Sequence, residues 1–359
     1  MTPFVKLADR STYVACAWDL AGDEAGRSYW VEFFIKHLET LLGLGVAAAV
    51  RQGEALAAVQ DRAQACRAEF APFFRAFQAE PGGRGRVTIL TLDEWRDGIL
   101  RRHGFIDPMI DLKDNENAKV IGLLPAVCHE LDSHAPDSHA SDSHASGDQL
   151  LTIIRGVFAG NLFDMGAKAS AKMYRDGAGP TFLETRGSLV PRPWLIDDFD
   201  AMAARFASHR HKRCVYFIDN AGSDFLLGAT PMIRWMAMRG THVIIAANER
   251  PTLNDMTVHD VRRWWPKMVE AEPSLGTLPI DIVSTGTGEP LIDLSRVSDE
   301  LNEAAAEADL VILEGMGRGV ESNLDAAFSC DAINLAMIKD ESIAARNGGK
   351  VFDCVCRFR

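Results

Sequence analysis

Apolar residues recur at helical spacing early in the chain: Phe33, Phe34, His37, Leu38, Leu41 and Leu42 form one stripe, and Phe70, Phe73, Phe74 and Phe77 another. Residues 30–78 therefore predict helix, with further helices expected over 91–102 and 116–131, between the turn signals Pro81-Gly82-Gly83 and Asp107-Pro108. The Phe stripe reads as core packing, because a helix in a globular protein buries its apolar face. After Gly187 the period changes. Short continuous apolar runs at 214–218, 243–247, 280–283 and 310–313 predict strands, and helical patterns lie between them near 225–238, 258–270 and 300–307. A last helix is expected over about 326–346, ending at Gly348-Gly349 and followed by a strand over 351–358.

This alternation predicts an α/β fold, a Rossmann-like, doubly wound and mostly parallel sheet preceded by an all-helical region. The expected division is a helical domain over 1–150 and an α/β catalytic domain over 151–359. At 359 residues the chain is long enough for two such units. Between them Asp-Ser-His-Ala recurs three times within residues 132–146, a polar low-complexity run expected to form a mobile loop. His134, His139 and His144 could bind a metal adventitiously, but the run reads as a solvated insertion without a catalytic role.

Composition narrows the partners. With 47% hydrophobic and 25% charged residues the chain is an ordinary globular protein, and its net charge of −12 argues against a general binder of nucleic acid or anionic membranes. No stretch is expected to reach the roughly 18 apolar residues of a spanning helix, and no signal peptide is recognised, so a cytoplasmic location follows by default. The seven scattered cysteines include no Cys-x-x-Cys pair and read as reduced core thiols; Cys354 and Cys356 should share one face of a strand.

In open α/β sheets ligands bind beyond the carboxyl ends of the strands. Here four such ends are polar or glycine-rich: Asp219-Asn220-Ala221-Gly222-Ser223-Asp224; Asn248 with Asn254-Asp255; Ser284-Thr285-Gly286-Thr287-Gly288; and Glu314-Gly315-Met316-Gly317-Arg318-Gly319. Asp219 and Asn220 have two readings. Either they cap and turn into the next helix, or a buried carboxylate there needs a divalent cation, Mg²⁺ or Mn²⁺ by its oxygen-only donors. The glycines would let a phosphate approach backbone amides, yet neither the dinucleotide nor the Walker fingerprint is present. Lys339, in an apolar stretch of the expected last helix, reads by pattern as a snorkelling surface lysine, with an anion partner as the alternative.

Taken in order, these segments resemble the metal-dependent damage-control phosphatases first catalogued as domain of unknown function 89. The resemblance rests on residues 217–257 with Leu253-Asn254-Asp255-Met256-Thr257, on Ala159-Gly160-Asn161-Leu162-Phe163-Asp164, on 284–288, on Glu314-Gly315-Met316-Gly317-Arg318 with Asn323, and on Ile338-Lys339-Asp340. The branch it looks most like includes the carboxy-terminal domain of pantothenate-kinase-like fusion proteins. The resemblance implies hydrolysis of a small phosphorylated metabolite, of the 4'-phosphopantetheine or sugar phosphate type. It implies one divalent ion (Mg, Mn, Co or Ni) held by Asp219, Asn220 and Asp255 as the catalytic set. It further implies phosphate or substrate contacts from Lys339, Glu314, Gly315, Met316, Gly317, Arg318, Asn161, Asp164, Thr287 and Asn323. Glu249-Arg250 and the Asp-Ser-His-Ala run depart from the family pattern. Because Asp-x-Asp is missing at Asp219-Asn220-Ala221, attack by water is favoured over an aspartyl-phosphate. The rival readings are an S-adenosylmethionine-dependent methyltransferase, whose glycine-rich first turn is not found here, and a non-catalytic metabolite-binding module.

Overall fold

The computed structural model describes residues 1–133, 143–162, 182, 186 and 191–359. Four helices come first: α1 (Glu24–Arg51), α2 (Leu56–Ala79), α3 (Ile89–Arg102) and α4 (Ile110–Val120). Asp23 starts α1 by accepting from the Gly26 amide, and Thr88 starts α3 through a reciprocal bond with Thr91. Phe34, Phe70, Phe74 and Phe77 are buried together, with the Phe70 and Phe74 rings 4.4 Å apart, so the aromatic stripe is core. By length and composition α1 could cross a membrane, contrary to the expectation that no segment could. Its apolar residues Trp30, Val31, Phe34, Leu38, Leu41 and Leu42 are instead buried in the core shared with α2 and α3.

Within α3 one buried guanidinium serves two buried carboxylates. Arg96 donates to both oxygens of Asp97 (2.7 and 3.1 Å), to Asp93, and to the Thr252 hydroxyl at 2.8 Å. Burial pushes Asp93 up to about 7, with the Asp97 and Glu289 charges adding and Arg96 opposing. The folded protein thus keeps a proton that the unfolded chain releases near its ordinary value of 3.8, so this group costs stability as pH rises from about 4 to about 7. Measured by urea unfolding, the stability of Asp93→Asn relative to the wild type should rise from pH 4 to pH 8, as the wild type alone loses this contribution. Equal destabilisation at both pH values would refute this.

Seven strands form one sheet: β1 (Ile196–Asp197), β2 (Arg213–Phe217), β3 (His242–Ala247), β4 (Ile280–Ser284), β5 (Leu310–Glu314), β6 (Asp331–Met337) and β7 (Cys354–Phe358), in the order β1-β7-β6-β5-β2-β3-β4. All neighbours are parallel except β6 and β7. The register pairs Phe217 with Ala246 and with Leu313, and Glu314 with Leu335, which brings the carboxyl ends of β2, β3, β5 and β6 to one rim. Alternation assigns the faces. Cys214 and Tyr216 point into the core formed with α5 (Leu124–Ser133), α6 (Ser143–Leu162), α7 (Phe199–Ser208), α8 (Thr230–Met238) and α9 (Val258–Ala271). Val215 and Phe217 point the other way, onto Phe4 and Leu7 of the amino-terminal segment and Leu301 and Ala305 of α10 (Asp299–Ala305).

The helix expected over 326–346 is corrected. Residues 331–337 are strand β6, and only α11 (Glu341–Arg346) is helical. A run such as Ala332-Ile333-Asn334-Leu335-Ala336-Met337 is apolar on both faces because it lies between β5 and β7, and periodicity cannot separate such a strand from a buried helix. Lys339 therefore follows a strand end at the rim. Of the Asp-Ser-His-Ala run, residues 134–142 fall outside the described residues, while Asp132 and Ser133 complete α5, where Asp132 accepts twice from Arg234 at 2.8 Å. Cys354 and Cys356 are both buried on β7, as expected.

Candidate active site

The rim is held by backbone bonds before any side chain acts. Asn220 and Asp255 form an antiparallel bridge, Ala221 N–H donates to Asn254 O at 2.9 Å, and Met256 N–H donates to Asp219 O at 3.0 Å. The loops after β2 and β3 are thereby stitched together, which sets Asp219, Asn220 and Asp255 side by side. All three are nearly inaccessible to water. Behind them α6 crosses closely because Gly160 has no Cβ: one added there would lie 2.8 Å from Ser223 O and 2.9 Å from the Asp224 Cα. That approach delivers Asn161, whose amide nitrogen donates to Asp224 Oδ2 (3.0 Å) and Asp219 Oδ2 (3.4 Å), and whose Oδ1 accepts from Met337 N–H at 3.2 Å.

Arg318 lies at the centre. Its Nη1 donates to Asp219 Oδ1 and its Nη2 to Asp255 Oδ2 at 2.6 Å, so one buried guanidinium joins the two carboxylates. Burial works against its charge, but Asp255 and Asp219 hold it above its ordinary range. Asn220 donates from Nδ2 to Asp219 Oδ2 at 2.8 Å and to Asp224 Oδ2 at 2.9 Å, which commits its nitrogen. Glu314, at the end of β5, is fully buried; burial, with the Asp224 and Asp219 charges adding, raises its pKa well above the ordinary carboxylate value. Lys339 Nζ donates to Asn161 O at 3.1 Å, and Lys339 N–H meets the Met316 sulfur at 3.2 Å.

Other expected site residues are placed differently. Thr287 shares a hydroxyl contact of 3.1 Å with Thr285, and its carbonyl accepts from the Glu249 and Arg250 amides at 2.8 and 3.2 Å, so its bonds organise the β4 loop. Asn323 donates to Ile292 O, Arg318 O and the Ser322 hydroxyl, and accepts from the Tyr13 hydroxyl at 2.7 Å; its side chain is committed to holding the loop that carries Arg318. The Gly315 amide, expected to face an anion, donates to Leu335 O at 2.9 Å because pairing with β6 continues one residue past Glu314. Gly317 begins a short helical turn, Gly317–Ser322, and its carbonyl accepts from the Ser322 hydroxyl at 2.7 Å. Asp164 lies outside the described residues.

Two contributors escaped the sequence reading. Asn248, visible only as one polar rim residue, is fully buried, donates to Asp255 Oδ2 at 3.2 Å and to Glu289 O at 3.0 Å, and keeps its Oδ1 buried without a hydrogen-bond partner among the described residues. Asp224, quoted only as part of the first loop, accepts from the Asn220 amide and from both Asn220 and Asn161 side chains.

A family model for the damage-control phosphatase ARMT1-like domain matches residues 53–355. The chain belongs to the damage-control phosphatase family. That family is one of phosphatases, not of methyltransferases. A damage-control phosphatase of Arabidopsis thaliana is 40% identical over 73% of this chain and 70% of its own length. Pantothenate kinase 2 of the same plant is 35% identical over 99% of this chain, which spans only 41% of that relative. The mouse 4'-phosphopantetheine phosphatase is 28% identical over 98% of this chain and 48% of its own length. A crystal structure of a DUF89 family protein from Pyrococcus horikoshii superposes with a TM-score of 0.61 at 16% identity, covering 91% of this chain and 96% of the other, and so shares the damage-control phosphatase fold.

Proposed function

We propose that this chain hydrolyses phosphate monoesters of small metabolites, with one divalent cation held by Asp219, Asn220 and Asp255. The observation that carries the reading is the meeting of two buried carboxylates from two strand ends on a single guanidinium. Two carboxylates brought this close together in a buried site are the kind of hard, anionic oxygen pair that holds a divalent cation. The Asn220 carbonyl, whose nitrogen is committed elsewhere, and the orphaned Asn248 Oδ1 supply further hard oxygen donors. This oxygen-only set suits Mg²⁺, Mn²⁺, Co²⁺ or Ni²⁺. When bound, such an ion supplies Lewis-acid polarisation of the phosphoryl group.

The chain's own residues then divide the work. Arg318 and Lys339 offer cationic donors to phosphoryl oxygens, and stabilise the charge that spreads over them as the ester bond breaks. Both Asp219 oxygens already accept, Oδ1 from Arg318 and Oδ2 from Asn220 and Asn161, which supports a holding role over a nucleophilic one. The sheet order, with crossovers on either side of β2, supports a Rossmann-like, doubly wound reading. The name of the mouse relative supports a 4'-phosphopantetheine-like substrate. A cytoplasmic setting without nucleic-acid or membrane partners accords with the charge of −12.

Lys339→Met tests the phosphate assignment. Removing one charge-assisted contact should lower kcat/KM for p-nitrophenyl phosphate with Mn²⁺ about 10- to 100-fold. A wild-type value in the folded variant would remove Lys339 from the site.

A further inference from the structure

Asp219 and Asp255 stand on different loops, and the backbone bonds between those loops leave open what fixes them against the rest of the molecule. Helix α4, from the amino-terminal helical region, reaches both. Lys113 and Asn117 lie one turn apart on its inner face and are fully buried. The Asn117 Oδ1 accepts from the Gly222 amide at 2.6 Å, two residues beyond Asn220, and its Nδ2 lies 3.7 Å from the Met256 sulfur, next to Asp255. Lys113 Nζ reaches Asp255 O at 3.4 Å and pairs with Asp260 at 2.7 Å and Asp107 at 2.8 Å. Asp260 in turn closes the start of α9, accepting from the Thr257 hydroxyl and amide at 2.8 and 3.1 Å. Each loop therefore has a buried polar anchor on the same helix face.

Nonspecific packing does not explain this choice of side chains. A lysine and an asparagine are costly to bury, and apolar residues would fill the same space. The bonds they make go to the loop amide, the carbonyl and the helix-capping carboxylate flanking the candidate ligands. We propose that α4 is a positioning clamp, in which Asn117 and Lys113 fix the joined loops carrying Asp219, Asn220 and Asp255 against the helical region. The inference rests on the metal reading above. Neither residue touches the reacting groups; both act through the loops.

The test is direct calorimetric titration of Mn²⁺ into the full chain, which needs no turnover. Asn117→Ala should weaken Mn²⁺ binding about 10- to 100-fold, the usual consequence of losing a group that orients metal ligands. The triple variant Lys113→Met, Asp260→Asn and Asp107→Asn, which removes the buried lysine without stranding either carboxylate, should weaken it comparably. Asp114→Asn serves as the control. Asp114 ties α4 to α9 through Arg263 (2.6 and 2.7 Å) and the Trp264 indole (3.0 Å) and touches neither loop. It should lower the melting temperature while leaving Mn²⁺ affinity unchanged. Wild-type affinity in either folded clamp variant, or an equal loss in Asp114→Asn, would overturn the clamp. A wild-type chain that binds no Mn²⁺ overturns the metal reading itself, and the clamp with it.

Discussion

Asp219→Asn should lower kcat for p-nitrophenyl phosphate with Mn²⁺ by about 10³-fold or more, the upper range for removing one preorganised charged group from a buried site. The exchange keeps volume and shape, so the loss is electronic. Both carboxylate oxygens accept hydrogen bonds, one from Arg318 and the other from Asn220 and Asn161. An amide has only one acceptor, and whichever way it is turned, its NH₂ faces another donor. Arg318 then keeps Asp255 alone, and the donor set for a cation falls to one carboxylate. Circular dichroism and thermal unfolding separate misfolding from lost chemistry, and calorimetry should show Mn²⁺ binding weakened in parallel. Activity within tenfold of wild type in a folded variant would sink the assignment of Asp219.

The strands at the centre of the sheet were legible because β2, β3 and β5 are short apolar runs closed by polar turn residues, the pattern of parallel strands buried on both faces. β6 was not, since Ala, Leu and Met in its sequence favour helix locally and only its neighbours β5 and β7 make it a strand. That single misreading put Lys339 on a helix face, when the end of β6 delivers it to the same rim as Asp219. The strand ends alone left Asp219 and Asn220 with two readings, a cap or a metal ligand, and Asp255 entered the candidate set only through the resemblance. Arg318 was read as part of an anion-binding loop; its pairing with both carboxylates depends on the turn Gly317–Ser322, which no local pattern announces. Lys113 and Asn117 carried no signal, since the helix expected over 116–131 leaves Lys113 outside it, whereas α4 starts at Ile110. The partners that tie them to the candidate site lie more than 100 positions away, at Gly222, Asp255 and Asp260.

Gly315→Ala should be the most disruptive single methyl addition at the rim, costing about 3 kcal/mol or more of stability and at least about 100-fold in kcat. Gly315 has φ +91°, where a side chain is strained, and a Cβ there would lie 2.0 Å from Asp219 Oδ2 and 2.3 Å from its Cγ. Neither side can yield cheaply. Asp219 is fastened by Arg318, Asn220 and Asn161, while Gly315 donates to Leu335 O at 2.9 Å and accepts from Gly319 N–H at 2.8 Å. Moving Asp219 breaks the ion pair; moving Gly315 frays β5 and shifts the turn that carries Arg318. Gly53 separates the two costs. It has φ +97° on the turn after α1, with nothing within 4 Å of an added Cβ. Gly53→Ala should therefore show the backbone strain alone, about 1 kcal/mol, with unaltered kcat. If urea unfolding and kcat change alike in the two variants, the glycine after β5 is there for its backbone angle. If only Gly315→Ala loses activity, it is there because Asp219 needs the space.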